Sequence, residues 1–515
     1  MRPVAEALVL ACDVGTSGVK VVLASSQRGI VASVQRGYGL LTPRPGWVEQ
    51  DPSLIQAALA AATRELLTTS GIPGTRIAGV VLTAQMFSLQ AVDAEGRSLG
   101  PMLSWLDQRA APQAQALAAR VPLHQQFDAA GSVITAKDIV PRIHWLRDEA
   151  PETWSRTRWL LDCKEAVVAW LTGRGITDRA GASAYRLTIA DSSAWDADLC
   201  ELLDVPLRML PEIAPATSVA GGLRAAAAAA MGLPEGVPVF VGAGDVPASQ
   251  LGAGALNAGD AHLSLGTAIY LGIHADAPVT DPGRRLGVLG HAAPDAWILW
   301  LEIATGGAAL SWIGRALGDP ARPDAPLDHA LIEQLVTSAA GDTHDLLFAP
   351  WLSGERVPLF DDGARGAFVG LALRHGRAHL VRAVMEGVAY QIRWALEYGL
   401  AYGLPAGSIR AVGGGGMGNA WLGIIADTLG RPIEVLDAPQ DAAALGVAAT
   451  AFVGLGAWPS LDSIHDHIRV ARVIEPDATR ARGYDRGFAR FQTLHNALAP
   501  IMRSLIASTN DLEAA

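Results

Sequence analysis

Apolar residues from Ala7 to Ala11 lead into Asp13 and then a turn of small residues, Gly15-Thr16-Ser17-Gly18, after which Val19 to Leu23 return to β-branched and aliphatic side chains. This pattern predicts a strand, a tight turn and a second strand. It recurs at 261–273, AHLSLGTAIYLGI, with Ser264-Leu265-Gly266-Thr267 as the turn. The run VPVFVGAG reads as a strand that leaves Asp245 at its end, and AAAAAAMGL (225–233) reads as a helix on alanine propensity. Further on, VGGGGMGNAWLGIIADTLG (412–430) predicts a strand end, four consecutive glycines and a helix with Trp421, Ile424, Ile425 and Leu429 on its apolar face. In EIATGGAALSWIGRAL (302–317), Gly306-Gly307 opens another helix.

Two copies of one unit, about 250 residues apart, imply two related halves, 1–250 and 251–515, facing each other across a cleft. A chain of 515 residues is also too long for a single core. The formal charge of −11, with no concentrated basic face, argues against nucleic acid as a partner. Cys12, Cys163 and Cys200 have no CxxC spacing, which fits reduced thiols in a cytoplasmic protein. No apolar run approaches the length of a membrane span, and the N-terminal apolar run flows into the first strand without a processing site. His465-Asp466-His467 lacks a second pair at ligand spacing and is expected to be a solvated helix start. No GxSxG elbow is present, so a serine-hydrolase reading loses ground.

Two facing turns rich in backbone N–H groups and hydroxyls are suited to clamping a triphosphate from both sides. Asp13 is then placed to hold a metal ion through water. The glycine run lets a flat nucleotide lie against bare backbone, with Asn419 at the following helix start able to bond ribose or base and the helix start offering free N–H groups. Gly306 and Gly307 would form the other wall of the slot.

The chain resembles the FGGY family of carbohydrate kinases nearly end to end. The resemblance rests on DVGTSGVK (13–20), GWVEQDP (46–52), AQMFS (84–88), SWLDQR (104–109), GAGDVPAS (242–249), LSLGT (263–267), PWLSGER (350–356) and GGGG (413–416). The most specific stretch is GAFVGLALRHGRAHLVRAVMEGVAY (366–390), which meets the family's C-terminal signature throughout. The N-terminal signature is weaker: Ile143, Trp145, Leu146, Asp148 and Glu149 fit, while Arg142 stands where lysine is usual and Ile139 where a small or hydroxyl residue is usual, a drift assigned to a structural helix. Within the family the xylulokinase branch is the most similar.

The resemblance implies an α/β fold of two actin-like (ribonuclease H-like) ATPase domains, the superfold of actin, hexokinase and the heat-shock ATPases, each half with a five-stranded mixed sheet and an interdomain cleft. It implies ATP and Mg2+ as cofactors and a small-molecule sugar as partner substrate; the sequence does not fix the oligomeric state, a homodimer being one option. Carried over by position, Asp245 is the catalytic base and Asp13 the metal-associated carboxylate; Gly15, Thr16, Ser17, Gly266, Thr267, Gly306, Gly307, Gly414, Gly415 and Asn419 face the nucleotide. Gln85, Met86, Phe87, Trp105, Asp245 and Val246 face the sugar. Phe87 and Val246 stand where the xylulokinase branch carries histidine and asparagine, so two polar sugar contacts have become apolar together. The acceptor is then D-xylulose or a related ketose, or else a polyol, deoxy-ketose or hydroxyketone. A non-catalytic sugar or nucleotide sensor and a cytoskeletal or chaperone-like ATPase of the same superfold stay open as other classes.

Overall fold

The computed structural model describes residues 6–121, 134–189, 191–279, 281, 285–318, 329–339, 345–361, 363–413 and 418–513. The first sheet is built from β1 (Leu8–Val14), β2 (Gly18–Ser25), β3 (Gly29–Gly37), β4 (Ile77–Ala84), β5 (Val219–Gly222) and β6 (Pro238–Phe240), in the order β5-β6-β4-β1-β2-β3. β1, β2 and β3 form an antiparallel meander, and β4 and β6 continue it in parallel. The second sheet contains β7 (Ala261–Leu265), β8 (Ile269–Ala275), β9 (Gly287–Gly290), β10 (Trp297–Ile303), β11 (Ile409–Val412), β12 (Ile433–Leu436) and β13 (Val470–Ile474), in the order β9-β10-β8-β7-β11-β12-β13.

The two sheets repeat one plan. In each, three antiparallel strands are followed by two parallel ones, β3-β2-β1-β4-β6 in the first and β10-β8-β7-β11-β12 in the second. These are the five strands expected for each half, but the sheets have six and seven. The additions, β5, β9 and β13, are short antiparallel strands at sheet edges, where one side of the backbone needs no further partner.

The central strands are buried on both faces, so they read as continuous apolar runs; Leu8 to Cys12 are all buried. Helices cover them. α1 (Pro52–Ser70) starts on an Asp51 cap with proline at its first position and stops at Gly71, whose φ of 67° is left-handed. The other helices that bear on the cleft are α2 (Ile139–Glu149), α3 (Cys163–Thr172), α4 (Arg179–Ala184), α5 (Asp245–Gly252), α6 (Gly307–Ala316), α7 (His329–Ser338), α8 (Arg377–Leu400), α9 (Asn419–Leu429) and α10 (Ala442–Gly454).

α10 packs beneath the first sheet. Its Ala444, Val447, Ala448, Ala451 and Phe452 share one buried cluster with Val9, Ala11, Val22, Val81 and Phe240, and with Ala248 and Leu251 of α5. The α5–α10 crossing is close enough that a Cβ on Gly252 would lie 1.7 Å from Ala442 O, and one on Gly446 would lie 1.9 Å from Ala248 O. Two local expectations change. His465-Asp466-His467 ends a 3-10 helix (Leu461–His467), and His467 stacks on Trp458. Asp245 is not at a strand end: β6 stops at Phe240, and Asp245 is the first residue of α5 after the loop 241–244. The segment Ala225–Met231 is the alanine helix.

Candidate active site

The β1–β2 hairpin pairs Asp13 with Lys20 and Val14 with Val19, leaving Gly15, Thr16 and Ser17 in the turn. Gly15 N–H closes it on Gly18 O at 2.9 Å, and Tyr38 donates its hydroxyl to Gly15 O. A side chain at Gly18 would sit 2.8 Å from Arg36 O, so β3 could not pair beside the turn with any other residue there. Thr16 is held at both ends: its carbonyl accepts from Gln50 Nε2 at 2.8 Å and its hydroxyl from Trp105 Nε1 at 3.0 Å. Ser17 is exposed. Lys20 Nζ reaches Asp441 Oδ1 at 2.9 Å and Gln440 O at 2.5 Å, tying the first hairpin to the start of α10.

Asp13 and Asp245 come together in the cleft. Burial pushes the Asp13 carboxyl up to about 6, against the pull of Lys20 and with a further push from Asp441. Burial and the nearby Asp13 charge raise Asp245 to about 7, while the Val246 N–H, 2.8 Å from Asp245 Oδ1, favours the ionised form. Tyr270, on β8, shares hydrogen bonds with the Ser249 and Ser264 side chains and feels both carboxylates. It therefore bridges α5 of one half and β7 of the other. Sequence reasoning missed Tyr270, although it lies three residues beyond Thr267 in the second strand-turn-strand unit.

Gln85, Met86 and Phe87 follow β4 and sit against the loop that carries Asp245. Gln85 N–H bonds Val14 O at 2.9 Å and its amide donates to Gln50 Oε1 at 2.5 Å. Gly244 is so close to Met86 that a Cβ there would lie 2.4 Å from the Met86 sulfur. Val246 is 4% exposed and belongs to the apolar cluster of Met86, on which Phe87 packs. Trp105 commits its indole N–H to Thr16, so it ties its segment to the first hairpin turn.

Arg142 is more than a feature of a structural helix. Buried in α2, it donates to Phe87 O, to Trp105 O at 3.0 Å and to Asp107 O at 3.1 Å. Burial pulls its guanidinium down to about 10, which leaves it charged at neutral pH.

The second turn, Gly266 and Thr267, is exposed between β7 and β8. Gly307 N–H bonds Gly266 O at 2.9 Å, and Gly306 N–H and Ala308 N–H bond Thr267 O at 3.0 and 3.1 Å. A Cβ on Gly307 would lie 2.7 Å from Gly266 O. These two glycines thus buttress the turn directly, which accounts for their lack of side chains. Asn419 is exposed at the first position of α9, but the helix start is not free: the Glu333 carboxylate accepts Ala420 N–H at 3.1 Å. Beside it, an open cavity of about 420 Å³ is lined by Glu333, Gln334, Thr337 and Ser338 of α7. Gly414 and Gly415 lie outside the described residues.

Two structurally repeated halves, each with a strand-turn-strand unit, bring two carboxylates together between them. The models for the N-terminal and C-terminal domains of the FGGY family of carbohydrate kinases match residues 8–252 and 261–455. The xylulose kinase of Escherichia coli K12 is 28% identical over 496 residues, covering 96% of this chain and 100% of that protein. The crystal structure of a ligand-bound xylulose kinase from Lactobacillus acidophilus superposes with a TM-score of 0.87 at 26% identity, over 96% of this chain and 98% of the other. A gluconate kinase from Lactobacillus acidophilus superposes with a TM-score of 0.88 at 26% identity, over 96% and 99%. The chain belongs to the FGGY family of carbohydrate kinases. It has the actin-like ATPase fold and is an ATP-dependent sugar kinase. Among the described residues no helix is long and apolar enough to cross a membrane.

Proposed function

We propose that this kinase transfers the γ-phosphoryl group of ATP to a hydroxyl of a small ketose, D-xylulose or a close relative, with Asp245 as general base. The observation that carries the reading is Asp245 itself: it opens α5 between the two turns, and its carboxyl is raised to about 7. A base poised near neutral pH matches the need to take a proton from a poorly acidic hydroxyl. As the acceptor oxygen attacks the γ-phosphorus, its proton passes to Asp245. The bond to the β–γ bridging oxygen breaks and ADP leaves. Thr16 and Thr267, with the turn amides around them, are the donors for the phosphate oxygens, and the cavity along α7 suits the adenosine half. Closure of the two domains would exclude water as a competing acceptor.

The donor set also suits Mg2+. Two carboxylates, Asp13 and Asp245, converge in the cleft, and a hard ion that keeps its waters and takes phosphate oxygens needs little more from the protein. Asp13 would hold it through water, and the ion would offset charge on the β- and γ-phosphates. A second acceptor class, a sugar acid, is favoured by the gluconate kinase neighbour.

Release of ADP in the presence of D-xylulose, D-ribulose, gluconate and short polyols tests both acceptor readings. Asp245→Asn is expected to bind ATP like the wild type and to cut turnover on the best acceptor by about 10³-fold or more. A variant retaining above a tenth of wild-type turnover would remove Asp245 from the role of base.

A further inference from the structure

Phe87 has a φ of 66°, a left-handed backbone that a bulky side chain rarely adopts. It is held there from both sides. The buried Asp162 carboxylate accepts the Phe87 and Ser88 N–H groups at 2.7 and 2.8 Å, and Arg142 donates to the Phe87 carbonyl. Strain maintained by two buried polar side chains marks a side chain whose direction matters. The ring points across the cleft and stacks on Trp300 of β10, with centroids 5.3 Å apart and planes 19° from parallel.

Met86, Val246, Leu289 and Ile298 belong to the same apolar cluster as this pair, as does Tyr270, whose hydroxyl is taken up by Ser249 and Ser264, and Val246 adjoins Asp245 in sequence. Among these side chains the one N–H or O–H group with no partner among the described residues is the Trp300 indole N–H, which is buried. It can serve one acceptor oxygen. Any further hydroxyl turned to this wall would lose water and find no partner, a cost of about 10-fold or more in binding.

We propose that Phe87 and Trp300 form a two-domain aromatic wall of the acceptor pocket, selecting a ketose or hydroxyketone that is deoxygenated at the end remote from the phosphorylated hydroxyl. The inference rests on the kinase reading above. Trp300 and Phe87 are its specificity-determining residues; Arg142 and Asp162 are positioning residues that aim the Phe87 ring.

The test compares kcat/KM of the full chain for matched acceptors that differ by one hydroxyl: D-xylulose with 1-deoxy-D-xylulose, D-ribulose with 1-deoxy-D-ribulose, and dihydroxyacetone with hydroxyacetone. The wild type is expected to favour the deoxy member of at least one pair by about 10-fold. Phe87→His, checked for folding by its ATP-induced thermal shift, is expected to bring that ratio to within about threefold of unity. Wild-type ratios below about 3 in every pair, with measurable turnover, would overturn the wall while leaving the kinase reading intact. ATP binding without ADP release on any acceptor would instead sink the ketose-acceptor reading, and this inference with it.

Discussion

Arg142 shows how much one buried side chain can organise. Its planar fork satisfies carbonyls from two segments, around Phe87 and around Trp105, that belong to the proposed acceptor side. A lysine carries its three donors on one nitrogen, whereas Arg142 serves these carbonyls from two, and each carbonyl the single ammonium cannot reach costs about 1–3 kcal/mol. Arg142→Lys is expected to raise KM for the acceptor by about 10-fold and leave KM for ATP within about twofold, as read by varying each substrate in turn. Equal rises in both would mean that the residue supports the whole fold and has no special bearing on the acceptor. Glu355, from the PWLSGER motif, is the other instructive residue. Its Oε1 accepts Ala304 and Arg356 N–H groups at 2.9 and 2.8 Å, Oε2 has no partner among the described residues, and burial pushes the carboxyl up to about 8 from 4.5. The folded pKa is the higher one, so the stability linked to this group is complete below pH 4.5 and is lost as pH rises through 8. Glu355→Gln should therefore gain in Tm relative to wild type as pH is raised from about 5 to 8.5, measured by calorimetry. A pH-independent difference would show that Glu355 is already ionised in the fold.

At the scale of elements, two helical glycines with opposite surroundings separate packing from propensity. Gly446 on α10 faces the α5 backbone at a distance no Cβ can share, whereas a Cβ on Gly423 within α9 would meet nothing within 4 Å. Gly446→Ala should lower Tm by about 4 °C or more, through overpacking of the α5–α10 crossing. Gly423→Ala should raise it by about 1–2 °C through helix propensity. Scanning calorimetry of both variants checks the pair, and equal shifts would contradict the crossing geometry. The two hairpins β1–β2 and β7–β8 could be expected because hydrophobic runs and tight turns are local patterns, whereas the five-strand core of each half was implied by the family resemblance. The edge strands β5, β9 and β13, four or five residues long, carry no comparable pattern and form only because a neighbour is there to pair with.

Across the whole molecule, contacts that join the halves include the α5–α10 crossing, the Lys20–Asp441 pair and the Phe87–Trp300 stack. The crossing is backbone-close, and the stack lies at the proposed acceptor side, so substrate-linked motion is expected to pivot on the former and to open and re-form the latter. Small-angle scattering with a non-hydrolysable ATP analogue and an accepted sugar should show the radius of gyration falling by on the order of 1 Å. No change with both ligands bound would argue that the cleft is already closed.

Residue order alone determined the duplicated strand-turn-strand units, the two halves and the identity of Asp13, Thr16 and Thr267 as site candidates, because each is a matter of local pattern and residue type; Asp245 and the apolar replacements Phe87 and Val246 stood out through the family resemblance of their motifs. Tertiary structure decided what those residues touch. It placed Glu333 on the helix start that looked free, set Gly306 and Gly307 behind the second turn, and gave Arg142 its three carbonyls. It also brought Tyr270 and Trp300 into the cleft from strands more than 180 residues beyond Phe87. Such contacts join side chains distant along the chain, and their geometry depends on strand register and helix crossing, which no local window of sequence contains.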